Sequence, residues 1–114
     1  MGKGRKDAVV DGERVNQIYL RGRLAAPPLV RELPSGDVLA AFRLTVDREP
    51  ASRVRVDSID CIAIRPRVRQ RLSKATAGEL LEVEGSLRRR FWRSPTGPAS
   101  RYAVEVESLR RCRP

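Results

Sequence analysis

Apolar residues stand at every second position in five short segments of this chain. The segments are residues 16–24, 38–47, 54–64, 81–92 and 102–106. A period of two is typical of a β-strand that buries one face and exposes the other, so the pattern predicts five strands. Gly22 inside the first segment predicts a sharp bend. In the third segment Ile59 breaks the even-numbered apolar series, which predicts a bulge near Ser58.

One segment has helical spacing instead. Pro66 suits a first helical position and Gly78 suits a stop signal. Between them Val68, Leu72 and Ala75 recur at near-helical intervals. The segment predicts a short helix of about three turns between the third and fourth strands.

Loops rich in proline, glycine and serine separate the strands, at residues 25–29, 33–36 and 94–100. Five strands with a single helix between the third and fourth match the OB-fold, a small Greek-key barrel that commonly binds oligonucleotides or oligosaccharides. The predicted fold class is therefore all-β, a five-stranded OB-fold barrel. The 114 residues leave room for one domain. We expect the barrel over residues 15–110, a flexible N-terminal arm over 1–14 and a short basic tail over 111–114.

The charge balance favours a polyanionic partner. Lysine and arginine number 24 against 14 acidic residues, and the formal net charge is +10. Residues 65–74 and 87–93 carry much of the excess and contain no acidic residue. Arginine binds phosphate through a planar fork and stacks on bases, so both stretches are candidate surfaces for nucleic acid.

Several chemistries are excluded by composition. The chain has no histidine, and Cys61 and Cys112 are its only cysteines. Imidazole-activated nucleophiles, histidine-ligated zinc and four-cysteine metal sites are therefore ruled out. Gly2-Lys3-Gly4 lacks the third glycine of a dinucleotide-binding fingerprint. We expect no enzyme, no cofactor and no metal.

The sequence also bears on location. No apolar run approaches the ~18 residues that span a bilayer, and the first residues lack the apolar core of a secretory signal. Two cysteines are too few for a disulfide-stapled secreted fold. We therefore expect a cytoplasmic protein with no membrane partner, in which Cys61 is an inert thiol and Cys112 has no assigned role.

Seven short strings in order resemble the bacterial single-stranded DNA-binding proteins. They lie at residues 16–24, 33–36, 41–44, 59–63, 81–85, 87–92 and 101–106. The resemblance implies sequence-tolerant binding of single-stranded DNA by a homotetramer of OB-folds, with a dimer as the alternative. It also implies a nucleoid-associated role in DNA replication, repair or recombination, without a cofactor.

The resemblance further implies the site residues. Trp92 falls at a base-stacking position of the family, and the cations expected along the DNA path are Arg21, Arg23, Arg43, Arg55, Arg88, Arg90, Arg93 and Arg101. A lone tryptophan is often a core residue, which is the alternative for Trp92. Trp92 stands at an even-numbered position, as do the arginines at 88 and 90, so the three side chains are expected on one face of the strand. Leu87 and Phe91 stand at odd-numbered positions, and their face is assigned to the barrel interior. Residues of one strand that are all even-numbered or all odd-numbered are said to have the same parity. Tyr19 and Tyr102 are interpreted as packing or subunit-interface residues.

Departures from the family are equally informative. Ser58 and Ile64 stand where the family frequently has aromatic residues, so binding is expected to be weaker unless arginine compensates. The sequence ends in Arg113-Pro114 rather than an acidic tail. We expect no tail-mediated recruitment of repair enzymes, which suggests an accessory paralogue. Two alternatives stay open, a protein-interaction module similar to primosomal OB-fold proteins and an RNA-binding OB module.

Overall fold

The structure is a computed structural model that describes residues 13–112. Its elements are β1 (Ile18–Leu24), β2 (Leu29–Glu32), β3 (Val38–Asp47), β4 (Val56–Ala63), α1 (Pro66–Ser73), β5 (Leu80–Ser94) and β6 (Gly97–Arg111). The residues expected to form most of the N-terminal arm, 1–12, and the last two residues of the expected tail lie outside the described part of the chain.

Five of the strands close into a barrel. Neighbouring strands follow the order β1-β5-β6-β4-β3, and β3 returns to β1 through the pairs Arg23↔Thr45 and Leu24↔Leu44. The β4–β6 pairing is parallel and the others are antiparallel. With α1 between β4 and β5, the predicted OB-fold barrel is confirmed.

A sixth strand lies outside the barrel. β2 pairs only with β3, from Leu29↔Ala41 to Glu32↔Val38, and all four of its residues are exposed. A strand exposed on both faces has no alternation of apolar and polar residues, which explains why the sequence pattern gave no sign of it. The turn that joins β2 to β3 was predicted correctly at residues 33–36, where Gly36 adopts a φ of 93°.

The barrel core consists of apolar side chains from every barrel strand and from α1. It includes Leu24, Phe42, Leu44, Cys61, Val68, Leu72, Leu81, Val83, Val104, Val106 and Leu109. Gly22 lies where β1 meets β3, and a Cβ there would come 2.6 Å from the Thr45 carbonyl oxygen. Glycine therefore allows the close strand approach that shuts the barrel.

The predicted bulge near Ser58 is wrong. The β3–β4 ladder keeps one register from Asp47↔Val56 to Ala40↔Ala63. The odd-numbered Ile59 faces the core together with Cys61, whereas Ile62 packs in a separate small apolar cluster with Leu39 and Ala103. Both faces of β4 are apolar here. Apolar residues therefore occur at odd and even positions of this strand without a bulge.

A bulge occurs instead between β5 and β6. The register shifts between Glu84↔Ser108 and Gly85↔Val106, which leaves Glu107 without a partner opposite. Because of the extra residue, the core-facing positions of β6 are even-numbered before the bulge and odd-numbered after it. Val106 and Leu109 therefore both point into the core.

The helix is shorter than predicted. α1 covers eight residues and ends at Ser73, with Lys74 as its C-cap residue, which gives two turns rather than three. Val68 and Leu72 are buried as expected. Gly78 has a φ of 91°, and its N–H donates to the carbonyl of Leu24 at 2.7 Å. The segment after the helix is thus a turn tied to the end of β1.

Beyond the barrel, β5 and β6 continue as a two-stranded extension. The pairing of β1 with β5 ends at Ile18↔Gly85, whereas β5 and β6 stay paired as far as Ser94↔Gly97. We call residues 88–94 and 97–102 the projecting ribbon. The predicted loop of residues 94–100 is therefore reduced to a tight turn. The assignment of Leu87 and Phe91 to the barrel interior is wrong, because both side chains are exposed.

Candidate nucleic-acid interface

Strand register divides the projecting ribbon into two faces. On one face Arg90 lies opposite Arg101 and Trp92 lies opposite Ala99. We call this the Trp92 face, and Arg88 belongs to it by parity. The Trp92 side chain is 46% exposed, so the tryptophan is not a core residue.

The Trp92 face continues onto the outer surface of the barrel. Asp60 of β4 accepts hydrogen bonds from Arg43 of β3 at 3.2 Å and from Arg101 of β6 at 3.4 Å. One carboxylate thus places two guanidinium groups from different strands side by side. Arg88 is held similarly by Glu105, with Nε 3.3 Å from Oε1.

The surface keeps a net positive charge despite these ion pairs. Four arginines meet only two carboxylates, and a guanidinium has five N–H donors, of which one carboxylate uses few. Arg90 makes no ion pair with any residue of the described chain. Such a surface can bind phosphate oxygens without first breaking its own contacts.

The structure brings together five of the nine predicted site residues. Trp92, Arg43, Arg88, Arg90 and Arg101 share this continuous surface. Arg93 has the opposite parity and lies on the other face of the ribbon, opposite Pro98. Arg55 lies in the loop before β4, exposed and without an ion pair in the described chain.

Arg21 and Arg23 are engaged in structural contacts on β1. Arg21 and Arg110 both donate to the buried carboxylate of Glu82, with Nε–O distances of 2.8 and 3.1 Å. Hydrogen bonds from Arg110 and then from Arg21 lower the pKa of Glu82 to about 2. Arg23 donates to the carbonyl of Gly78 at 3.0 Å.

Sequence reasoning missed the opposite face of the ribbon, which we call the Phe91 face. Phe91 and Tyr102 are exposed there, and Arg89 lies against both rings. A signal was present, because Arg89 and Arg93 share the parity of Phe91. Arginine at positions assigned to a barrel interior indicates that this face is open to solvent.

The other residues singled out in the sequence have clear positions. Ser58 is exposed on the outer face of β4, and Ile64 packs against the small apolar cluster beside it. Burial raises the pKa of the Cys61 thiol to about 12, consistent with an inert side chain. Tyr19 is exposed on β1.

Residues 13–112 lack two further features. No helix in this range is long and apolar enough to cross a membrane. No group of three or more cysteine and acidic side chains in the same range could hold a metal ion.

A closed five-stranded barrel with α1 between β4 and β5, and with a cationic surface that carries an exposed tryptophan, defines an OB-fold protein. Residues 15–111 match the single-strand binding protein family, and the chain belongs to that family.

Curated relatives carry the same family name. The single-stranded DNA-binding protein of Thermotoga maritima is 36% identical over 96 residues, which cover 80% of this chain and 67% of that protein. Single-stranded DNA-binding protein A of Bacillus subtilis is 29% identical over 97 residues, with 82% and 56% covered. The chain thus spans between just over half and about two thirds of the length of these relatives.

A solved structure supports the fold. The Plasmodium falciparum SSB, determined in complex with ssDNA, superposes with a TM-score of 0.73 at 21% identity. The match covers 91% of this chain and all of the other chain.

Proposed function

We propose that this protein binds single-stranded DNA with little sequence preference, through the Trp92 face and the adjoining outer surface of β3 and β4. The observation that carries the proposal is the strand register, which places Trp92 on one surface with Arg88, Arg90 and Arg101. An exposed indole can stack on any base, and the arginines can neutralise the backbone phosphates. Neither contact reads a base edge, which accounts for sequence tolerance.

The balance between stacking and charge supports a specialised role. The outer face of β4 offers Ser58 and Asp60 beside the arginines, and neither can stack on a base. Binding then depends more on phosphate contacts than on aromatic platforms. We therefore propose an accessory function in DNA replication, recombination or repair. Family membership supports assembly as a homotetramer or a dimer and a cytoplasmic, nucleoid-associated location.

The first test is a titration with oligo-dT. Trp92 is the only tryptophan of the chain, so its fluorescence reports on this surface alone. We expect quenching on binding and a steep loss of affinity with salt, with a slope of log K against log salt of about −0.7 for each phosphate neutralised. Unchanged emission at saturating DNA would remove Trp92 from the site.

A second measurement separates the related functions. Competition between matched DNA and RNA strands should favour DNA, whereas a preference for RNA would indicate an RNA-binding OB module. No binding at low ionic strength, together with stable association with another OB-fold protein, would indicate a protein-interaction module instead.

A further inference from the structure

The Phe91 face carries two aromatic rings that the described chain does not cover. Phe91 is 75% exposed and Tyr102 is 56% exposed, both more than Trp92. They lie on the side of the projecting ribbon away from Trp92, since residues 91 and 92 point to opposite faces of one strand. Neighbouring apolar groups that stay exposed on one face often mark a binding site.

Arg89 joins the two rings into one surface. Its guanidinium carbon lies 4.9 Å from the centroid of the Tyr102 ring and 5.7 Å from that of Phe91. The same group donates to the Tyr102 hydroxyl at 3.0 Å and to Ser100 Oγ at 2.9 and 3.1 Å. Four side chains thus form a row in which the arginine is held in place before any ligand arrives. Because the Arg89 side chain is already ordered in the free protein, less side-chain conformational entropy is lost when a ligand binds to this row.

The charge of the Phe91 face favours one kind of binding partner over another. Its residues are Arg89, Phe91, Arg93, Pro98, Ser100 and Tyr102. None of them is acidic, and Arg93 makes no ion pair within residues 13–112. A second copy of the ribbon would bring arginine against arginine, which is unfavourable. A ligand that combines flat rings with negative charge satisfies both features, and single-stranded nucleic acid is such a ligand.

We infer that Arg89, Phe91 and Tyr102 form a second base-stacking platform, so that the projecting ribbon contacts single-stranded DNA on both faces. This inference rests on the proposed function. The strand would pass from the Trp92 face around the narrow ribbon to the Phe91 face, where bases stack on Phe91 and the phosphates meet Arg93.

The sole tryptophan offers a direct test, because it can be moved from one face to the other. In the double variant Phe91→Trp/Trp92→Phe both exchanged side chains stay at exposed positions, so the fold should be retained. We expect oligo-dT to quench the emission of this variant as it quenches that of the parent protein. Quenching in the parent with unchanged emission in the variant would overturn the inference and leave the proposed function intact. No quenching in either protein, with no binding by a second method, would overturn both.

Affinity gives an independent measure. Phe91→Ala should weaken binding of oligo-dT by about 5-fold to about 150-fold, the range expected for one base–aromatic stack. Val30→Ala is the matched control, because Val30 is 70% exposed on β2, outside the barrel, and is not part of either face. Equal affinity of the two variants would refute the platform.

Light scattering without DNA tests whether a second copy of the chain binds to the Phe91 face instead. We expect Phe91→Ala and the parent protein to have the same molar mass. A lower mass for the variant would overturn the inference and identify the Phe91 face as a contact between copies of the chain.

Discussion

Arg90 of β5 lies directly opposite Arg101 of β6 on the Trp92 face. Like charges at directly opposed positions destabilise an antiparallel pair. Asp60 offsets the charge of Arg101, with an Nη1–Oδ2 distance of 3.4 Å, but no carboxylate of the described chain pairs with Arg90. The fold therefore tolerates a local repulsion that a bound phosphate would relieve.

The first prediction concerns Arg90→Gln. Loss of one phosphate contact should make the slope of log affinity against log salt less steep by about 0.7. The folded state should be as stable as before or slightly more so, because the repulsion with Arg101 is removed. Titrations with oligo-dT over a salt series, with thermal melts alongside, test both effects. Arg31→Gln on β2 is the control, and an equal change of slope in that variant would contradict a specific role for Arg90.

The second prediction is a gain of function at Ser58. This residue is exposed on the outer face of β4, opposite Thr45 and two positions from Asp60. Ser58→Trp should add a stacking platform worth about 1–3 kcal/mol, so that oligo-dT binds about 5-fold to 150-fold more tightly. Fluorescence anisotropy of labelled DNA measures the change, with Ser58→Ala as the control. Equal affinities of the two variants would place the DNA path away from β4.

The third prediction follows from the low pKa of Glu82. Hydrogen bonds from Arg110 and Arg21 lower this pKa from its ordinary value near 4.5 to about 2. A pKa that is lower in the folded state than in the unfolded state stabilises the fold above the unfolded value, and that stabilisation is lost as pH falls from about 4.5 to about 2. Parent protein should therefore be more stable than Glu82→Gln at neutral pH, and the difference should shrink over this acidic interval. A difference independent of pH would show that charge is not its source.

The fourth prediction concerns the bulge. A Cβ on Gly85 would lie 1.9 Å from the carbonyl oxygen of Glu105, so Gly85→Ala must displace the backbone of one strand. We expect a loss of at least about 1–3 kcal/mol in the free energy of unfolding, measured by urea denaturation. Ser86→Ala is the neighbouring control. The Ser86 hydroxyl is buried without a hydrogen-bond partner in the described chain, so its removal should be neutral or stabilising. Comparable losses in both variants would show that any change at the bulge is harmful.

Much of the barrel could be predicted because each strand buries one face. The alternation in β1 and β3 placed Leu24, Phe42 and Leu44 in the core. The alternation pattern gave wrong or missing predictions for strands that do not bury one face and expose the other. β2 buries neither face, and β4 has apolar residues on both, which was interpreted as a bulge.

The candidate site also had a part that alternation along the strand predicted and a part that it could not predict. Parity correctly grouped Trp92 with the arginines at positions 88 and 90, because residues two apart on a strand share a face whatever surrounds it. Parity could not show that Arg21 is held by Glu82, since that contact depends on the pairing of β1 with β5.

The sequence by itself determined the strand periods, the position of the helix, the excess of positive charge and the residues that share each face. Only the tertiary structure decided which faces are covered. Phe91 has the parity of the core residue Val83, yet it is exposed because β1 stops pairing with β5 at Gly85. Alternation is a local property of the backbone, whereas burial depends on which distant segments come to lie against it.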